Sequence, residues 1–289
     1  MKKVFVLVTA MMAVVMSAKA EVNFAYDAGA EVVSAYIWRG QYNGGLSFQP
    51  DVEIGYDGEH TSLRIGAWGN LGASDWKFKK DQGDGAGFTK FMPELDIVGK
   101  FSFFGASVGF NHYYYCDGSN FFSWQKAQDV YDSGNTSTTE VWVGYNFEHF
   151  FGVNAYINWY TTVAGNDLRV STIYPEMAPV IYDANRAWSS YLELGYDYTW
   201  DNIGLTLGGQ IGMSPWASDM YGNDGFAVTN LTVKLNKEWE FDACTLDLFA
   251  QGTLNPDGIN KNNVYINEAG DDKLYMQKLN GVIGVGVWF

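Results

Sequence analysis

Leu46-Ser47-Phe48-Gln49-Pro50-Asp51-Val52-Glu53-Ile54-Gly55-Tyr56-Asp57 sorts its residues by parity. Leu46, Phe48, Pro50, Val52, Ile54 and Tyr56 fall on one face of an extended chain, and Ser47, Gln49, Asp51, Glu53 and Asp57 on the other. A strict period of two is the mark of a strand with one apolar and one polar face. The parity returns in Val141, Val143, Tyr145 and Phe147 against Glu140, Trp142, Gly144 and Asn146, and in Leu246, Leu248 and Ala250 against Thr245, Asp247 and Gln251. Segments of this kind are predicted at 29–39, 46–57, 61–70, 91–100, 104–115, 138–147, 153–162, 187–198, 204–213, 226–236, 244–254 and 276–289, twelve in all.

What separates a membrane barrel from a soluble β-fold is the chemistry of the apolar parity. In these segments it carries no Asp, Glu, Lys or Arg, and His112 near a strand end is its one group titrating near neutral pH. A basic residue there at mid-membrane would cost roughly 2–4 kcal/mol. Connections alternate as they do in outer-membrane barrels. Short links are expected around 58–60, 101–103, 148–152, 199–203 and 237–243, and long polar ones at 71–90, 116–137, 163–186, 214–225 and 255–275, with a short external loop at 40–45. The reading is an all-β fold: a twelve-stranded antiparallel transmembrane β-barrel over 21–289, with short periplasmic turns and long external loops. Pro50 and Pro93 each remove a ladder donor, so a bulge or a lapse in pairing is expected at both.

Lys2 and Lys3, the uncharged run Val4 to Val15 and the small residues around Ala18-Lys19-Ala20 predict a cleaved signal peptide over 1–20. No later stretch offers the ~20 apolar residues of a spanning helix. The chain carries 33 acidic against 18 basic residues, and loss of Lys2, Lys3 and Lys19 moves the net charge from −15 to −18. That excess argues against nucleic acid as a partner. Aromatic content of 17% with 33 Gly suits a barrel with girdles and crowded walls. The last strand ends on the outward-parity Phe289, which fits recognition by the barrel assembly machinery. It should pair with the first strand near Val32 to Trp38. These features place the protein in the outer membrane of a Gram-negative bacterium, in contact with its lipid.

The inward parity holds the candidate functional groups. Glu31, Asp51, Glu53, Glu94, Asp96, Glu140, Glu193 and Asp247 face it, against Arg39, Arg64, Lys100, Lys234 and Lys278. Counting from the turns sets Arg64 between Asp51/Glu53 and Glu94/Asp96, a carboxylate–guanidinium–carboxylate cluster. Glu140, Glu193, Asp247 and the rim residue Arg39 are candidates for selectivity. The alternative is that these charges simply satisfy one another in a narrow barrel. Gly55, Gly66, Gly144, Gly195, Gly208, Gly284 and Gly286 share this face with Trp68, Trp142, Phe249 and Trp288, so rings packed over glycines are expected to constrict the base. Higher up, Tyr113, Tyr115, Tyr160 and Tyr191 with Asn111, Asn154 and Asn158 offer rings and amides of the kind that hold sugars or nucleosides. External loops add Trp76, Phe121, Phe122, Trp124, Tyr174, Tyr182, Trp216 and Tyr221.

Histidine-based hydrolysis has little to draw on, since His60 and His149 fall in turns and His112 faces outward. Cys116 and Cys244 lie at opposite ends of the barrel, too far apart for the under 7 Å Cα separation of a disulfide. No cofactor and no metal-ligand spacing is expected, although Asp271-Asp272 and the polar run 254–263 have the composition of a Ca²⁺ loop.

Ser34-Ala35-Tyr36-Ile37-Trp38-Arg39-Gly40, Gln49-Pro50, Gly66-Ala67-Trp68-Gly69-Asn70, Leu95-Asp96 and Tyr113 to Tyr115 follow one another in this order. The pattern resembles an uncharacterised bacterial outer-membrane family that carries Ser-x-Tyr-x-x-Arg-Gly, a Gln and Gly-x-Trp-Gly; Asn70 stands where that family has Ser. The resemblance covers about residues 30–118 and implies location without an activity, with Arg39 and Trp68 as its motif positions. A channel for passive or selective passage of small polar solutes is the favoured function. A closed structural or surface-binding barrel is the alternative, and an outer-membrane lipid hydrolase a more distant one.

Overall fold

Alternating sequence becomes a closed antiparallel barrel of twelve strands. The computed structural model describes residues 23–73, 91–116, 121–122, 137–174, 181–218, 220–221, 223–257, 265–266, 273–274 and 279–289. In chain order the strands are β1 (Asn23–Val33), β2 (Tyr36–Trp38), β3 (Gln41–Gly44), β4 (Ser47–Asp57), β5 (Thr61–Ala73), β6 (Phe91–Phe103), β7 (Ala106–Tyr115), β8 (Thr138–Asn146), β9 (Ala155–Gly165), β10 (Leu168–Tyr174), β11 (Ile181–Arg186), β12 (Ser190–Trp200), β13 (Leu205–Ser214), β14 (Ala227–Glu240), β15 (Thr245–Leu254), β16 (Tyr265–Ile266), β17 (Lys273–Leu274) and β18 (Leu279–Trp288). The wall runs β1-β18-β15-β14-β13-β12-β9-β8-β7-β6-β5-β4 and closes on β1; β2/β3, β10/β11 and β16/β17 are separate hairpins. One helical turn, α1 (Glu148–Phe151), sits in a short link.

The exterior is apolar and the interior polar, the reverse of a soluble protein. Val143, Val233 and Ile283 are 58%, 59% and 64% exposed, whereas Glu140 is fully buried. Aromatic pairs edge the outer surface near the short turns: Phe24 with Tyr56 at 5.7 Å, Tyr145 with Phe147 at 5.1 Å and Tyr198 with Trp200 at 4.8 Å. β14 runs four residues beyond the expected strand, which brings Lys237 onto the outward parity at the turn end. Its ammonium bends back to the Ile203 carbonyl, and its Nζ sits 5.2 Å from the Trp239 ring centre.

The first strand differs from expectation. The wall strand is Asn23–Val33, and Val33 pairs with Gly284 while Gly29 pairs with Trp288. Residues 34–39, expected in the wall, leave it. Phe24, Tyr26, Ala28, Ala30 and Val32 alternate as well as the stretch that follows, so parity did not distinguish them. The seam therefore lies at Gly29 to Val33 rather than Val32 to Trp38. Bulges also fall elsewhere: at Thr139/Glu140 against β9, and at Gly212/Met213 against β14. Pairing between β4 and β5 lapses at Gln49 and Pro50 without a change of register, and the ladder runs unshifted through Pro93. The turn between β6 and β7 is Phe104-Gly105, with φ of 49° and 82°, the left-handed pair of a two-residue hairpin.

Rings over glycines do fill the inner wall. A Cβ on Gly284 would meet the Phe249 ring at 2.3 Å, one on Gly195 the Tyr156 ring at 2.3 Å, and one on Gly109 the Trp142 ring at 2.5 Å. Gly284→Val is therefore expected to displace Phe249 and cost about 1–3 kcal/mol, measured by urea unfolding in detergent. Gly281→Val, at a position with nothing within 4 Å of its Cβ, is the control and should leave the midpoint unchanged.

Candidate functional site

After Val33 the chain turns into the lumen. Ser34 donates its amide to the Ile283 carbonyl at 2.9 Å, and its hydroxyl accepts the Ile283 amide at 2.9 Å. β2 and β3 then form a short hairpin, with Arg39 (φ 47°) and Gly40 (φ 84°) at its tip. Two consecutive left-handed residues make the turn tight; only glycine does this without strain. The hairpin leaves the β1 seam and brings its tip against β14 and the end of β15. There a Cβ on Gly40 would stand 1.9 Å from the Thr229 carbonyl oxygen, and Asn255 donates to the Gly40 carbonyl at 3.3 Å.

The tip is fixed by one buried ion pair. Arg39 donates from both guanidinium nitrogens to Glu140 of β8, at 2.6 and 2.8 Å, and the Tyr113 hydroxyl donates to the same carboxylate at 2.8 Å. The guanidinium carbon lies 4.6, 4.3 and 4.5 Å from the ring centres of Trp38, Tyr160 and Tyr191. Arg39 also donates to the hydroxyl of Tyr221, which enters the lumen from the 214–226 connection. Tyr221 stacks on Trp38 and on Tyr191 and is 1% exposed. Burial above all raises the Tyr221 phenol well above its usual range, against the pull of Arg39, so it is a neutral hydroxyl at any physiological pH. The connection carrying it is tethered by a relay in which Ser218 donates to Ser189 at 2.6 Å and Ser189 to Asp167 at 2.5 Å.

Several residues expected in other roles meet here or elsewhere. Arg39 is on the hairpin rather than on the wall at the rim. Glu140 is neutralised by it and lines no free aqueous path. Tyr113, Tyr160 and Tyr191 grip the hairpin. Tyr115 stands apart, hydrogen-bonded to Glu94. Asn158 and Glu193 hydrogen-bond each other, with Gln210 and Tyr156 joining the carboxylate. Asn154 is not part of this set: it is exposed in the link before β9, where its carbonyl accepts the Asp197 amide.

The charge cluster around Arg64 is smaller than expected. Arg64 binds Glu53, at 3.3 Å, and Asp57. It faces Lys100 of β6, while Asp96 lies opposite Trp68 and Glu94 opposite Asn70, four and six residue pairs further along. Asp51 also lies opposite Trp68. The cause is the β6–β7 turn, which falls at Phe104-Gly105 instead of 101–103. Nor do the four large rings form one constriction at the base. Trp68 meets Tyr36 of the hairpin at 5.4 Å, Trp142 meets Tyr160 at 5.9 Å, and Phe249 packs with Val33 and Val282 beneath Ala35 and Ile37. Trp288 alone of them sits at the strand end, over Gly29. Asp247 is buried nearby, with its Oδ1 atom unpartnered among the described residues.

Tyr36, Trp38 and Tyr221 are lumen groups beyond those expected from parity, and the first two belong to the Ser34–Gly40 motif. The motif pieces meet in space: Tyr36 on Trp68, and Gln49 donating to Asn70 at 3.3 Å. His112 is covered by Phe121 and Phe122, with its ring nitrogens on the Thr139 hydroxyl and the Phe121 carbonyl. His60 lies 3.4 Å from Glu59 and stacks on Phe104. Neither Cys116 nor Cys244 is in a disulfide. The signal segment 1–20, Trp76, Trp124, Lys278, Asp271-Asp272 and part of the run 254–263 lie outside the described residues.

No described protein family and no curated protein matches this chain. Solved structures that resemble it include an outer membrane channel from Pseudomonas putida F1, 12% identical, with 93% of this chain and 94% of that chain covered and a TM-score of 0.42. OmpF of Salmonella typhi, in a complex with daunomycin, is 10% identical over 93% and 97%, with a TM-score of 0.39. A chain from work on the in-meso crystallization of membrane proteins is 7% identical over 92% and 83%, with a TM-score of 0.43.

Proposed function

We propose that this protein is an exported outer-membrane barrel of a Gram-negative bacterium that passes small polar solutes selectively, with the hairpin of residues 34–46 as its closure. An apolar exterior needs lipid, and a wall with every strand paired leaves no backbone edge in it. Signal-peptide cleavage after Ala20 and recognition of the Phe289 strand by the assembly machinery belong to the same reading.

The observation that carries a transport function is the nature of the closure. A barrel built only as a structural wall could fill its lumen with apolar packing. This one is shut by a separate hairpin held at its tip through a salt bridge, phenols and single amide contacts. Such contacts can be exchanged for water, which makes the insert removable. Glu31, Asp51, Glu53, Asp247, Arg64 and Lys234 share the inward parity, and four acids against two bases favour cations and hydroxylated solutes. The buried Arg39–Glu140 pair equally supports a barrel that stays closed, so the test must separate the two.

Liposome swelling does so. Vesicles containing the wild-type protein should swell slowly in small sugars and amino alcohols. A variant with Tyr36–Gly44 replaced by a short glycine linker should swell rapidly. No swelling with either protein, when both migrate as folded barrels, removes the transport reading and leaves the closed barrel.

A further inference from the structure

Beside the hairpin lies a cavity of about 200 Å³ lined by Tyr36 and Asn43 of the insert and by Asn70, Glu94 and Tyr115 of the wall. It has room for roughly seven waters, and it is smaller than the ~300–1,000 Å³ of sites for drug-sized ligands. Its lining is chemically one-sided. Tyr36 and Tyr115 both donate to the buried Glu94 carboxylate, which leaves their oxygen lone pairs to accept. Asn43 and Asn70 supply amide groups that both donate and accept.

Among the described residues no cation answers Glu94. Ion pairs among the described residues join Arg39 to Glu140, Arg64 to Glu53 and Asp57, and His60 to Glu59. Glu94 and its neighbour Asp96 take part in none of them. Asp96, on the same face of β6, is 8% exposed, and its Oδ1 atom is buried without a hydrogen-bond partner among the described residues. Glu94, the one carboxyl that lines the cavity, has no cation on it among the described residues, and an incoming positive charge would supply the partner that its ionised form lacks. A metal ion fits poorly, because a single carboxylate lines the cavity and no group of three His, Cys, Asp or Glu side chains gathers among the described residues.

We infer that this cavity is a binding site for a small organic ammonium ion bearing hydroxyl groups, with the ammonium on Glu94 and the phenol oxygens and the hydroxyls on Asn43 and Asn70. The rings of Tyr36 and Tyr115 add the aromatic surface that cations favour. Because Tyr36 and Asn43 belong to the insert, a bound solute joins the hairpin to the wall. The site rests on the seating of the hairpin and not on passage through the barrel.

Equilibrium binding to the purified full-length barrel in detergent, by calorimetry, keeps the two claims apart. The probes are glucosamine and ethanolamine, with glucose as the uncharged match and Ca²⁺ as the metal. Both amines should bind, with glucosamine at least about tenfold tighter than glucose, the worth of one charge-assisted hydrogen bond. Glu94→Gln should erase that preference. Asn43→Leu, on the insert and outside the wall strands, should fill the cavity and weaken glucosamine at least about tenfold, so a failure of the Glu94 variant to fold leaves the test standing. Equal affinity for glucose and glucosamine, tighter binding of Ca²⁺ than of either amine, or unchanged glucosamine affinity in Asn43→Leu overturns the inference. None of these outcomes bears on whether vesicles swell.

Discussion

Arg39→Ala is expected to unseat the hairpin. The substitution leaves Glu140, which is fully buried, without its guanidinium, and breaking a buried pair from one side costs about 3–5 kcal/mol. It also removes three cation–π contacts and the hydrogen bond to Tyr221. The twelve-stranded wall does not depend on these contacts, so the loss falls on the inserted form. That is a shift of at least roughly a hundredfold in the ratio of seated to withdrawn hairpin. Hydrogen exchange should show it as faster exchange across residues 36–44, with the protection of β4 to β8 retained. Arg39→Lys should fall between, since an ammonium keeps the charge but not the two parallel bonds to Glu140. Replacing both partners by apolar residues, Arg39→Met with Glu140→Leu, should restore part of the closure, because no buried charge is then left unpaired. A double variant as open as Arg39→Ala would place the seat somewhere other than this pair.

Gly40→Ala should do comparable damage by another route. At φ 84° an L-residue carries about 1–2 kcal/mol of strain, and its Cβ would stand 1.9 Å from the Thr229 carbonyl oxygen. Overpacking adds about 1–3 kcal/mol more. The tip can escape both only by drawing back from β14, which pulls Arg39 away from Glu140. Faster exchange in the hairpin is again the readout, and Gly225→Ala, with open space around its Cβ, is the control that should change nothing. Equal exchange in both variants would mean that the tip does not bear on Thr229.

The wall was legible because a barrel strand buries one parity in polar surroundings and the other in apolar ones, and that signal is local. Residues 47–57 read correctly from their own pattern. Where the first strand lies was not legible, because Phe24 to Val32 and Ser34 to Trp38 both alternate and nothing local says which stretch pairs with β18. A hairpin packed between lumen walls imposes the same period of two as a wall strand. Its best sequence signal is Arg39-Gly40, a turn dipeptide inside an alternating stretch. Counting from turns puts Arg64 at about the level of the lower acid on each side, which holds for Glu53, but the β6–β7 turn lies about two to three residues beyond 101–103 and moves Asp96 away. Tyr221 was legible as a loop aromatic only; its place against Arg39 depends on a tether through Ser218, Ser189 and Asp167 that no sequence spacing encodes.

Single-channel conductance in planar bilayers tests most directly whether the hairpin of residues 34–46 is what closes this barrel. Wild type should be silent or show rare small steps, and Arg39→Ala should open frequently to the level reached by the barrel without Tyr36–Gly44. Long, stable openings of the wild type equal to those of both variants would contradict the account, as would silence in a folded barrel that lacks the hairpin.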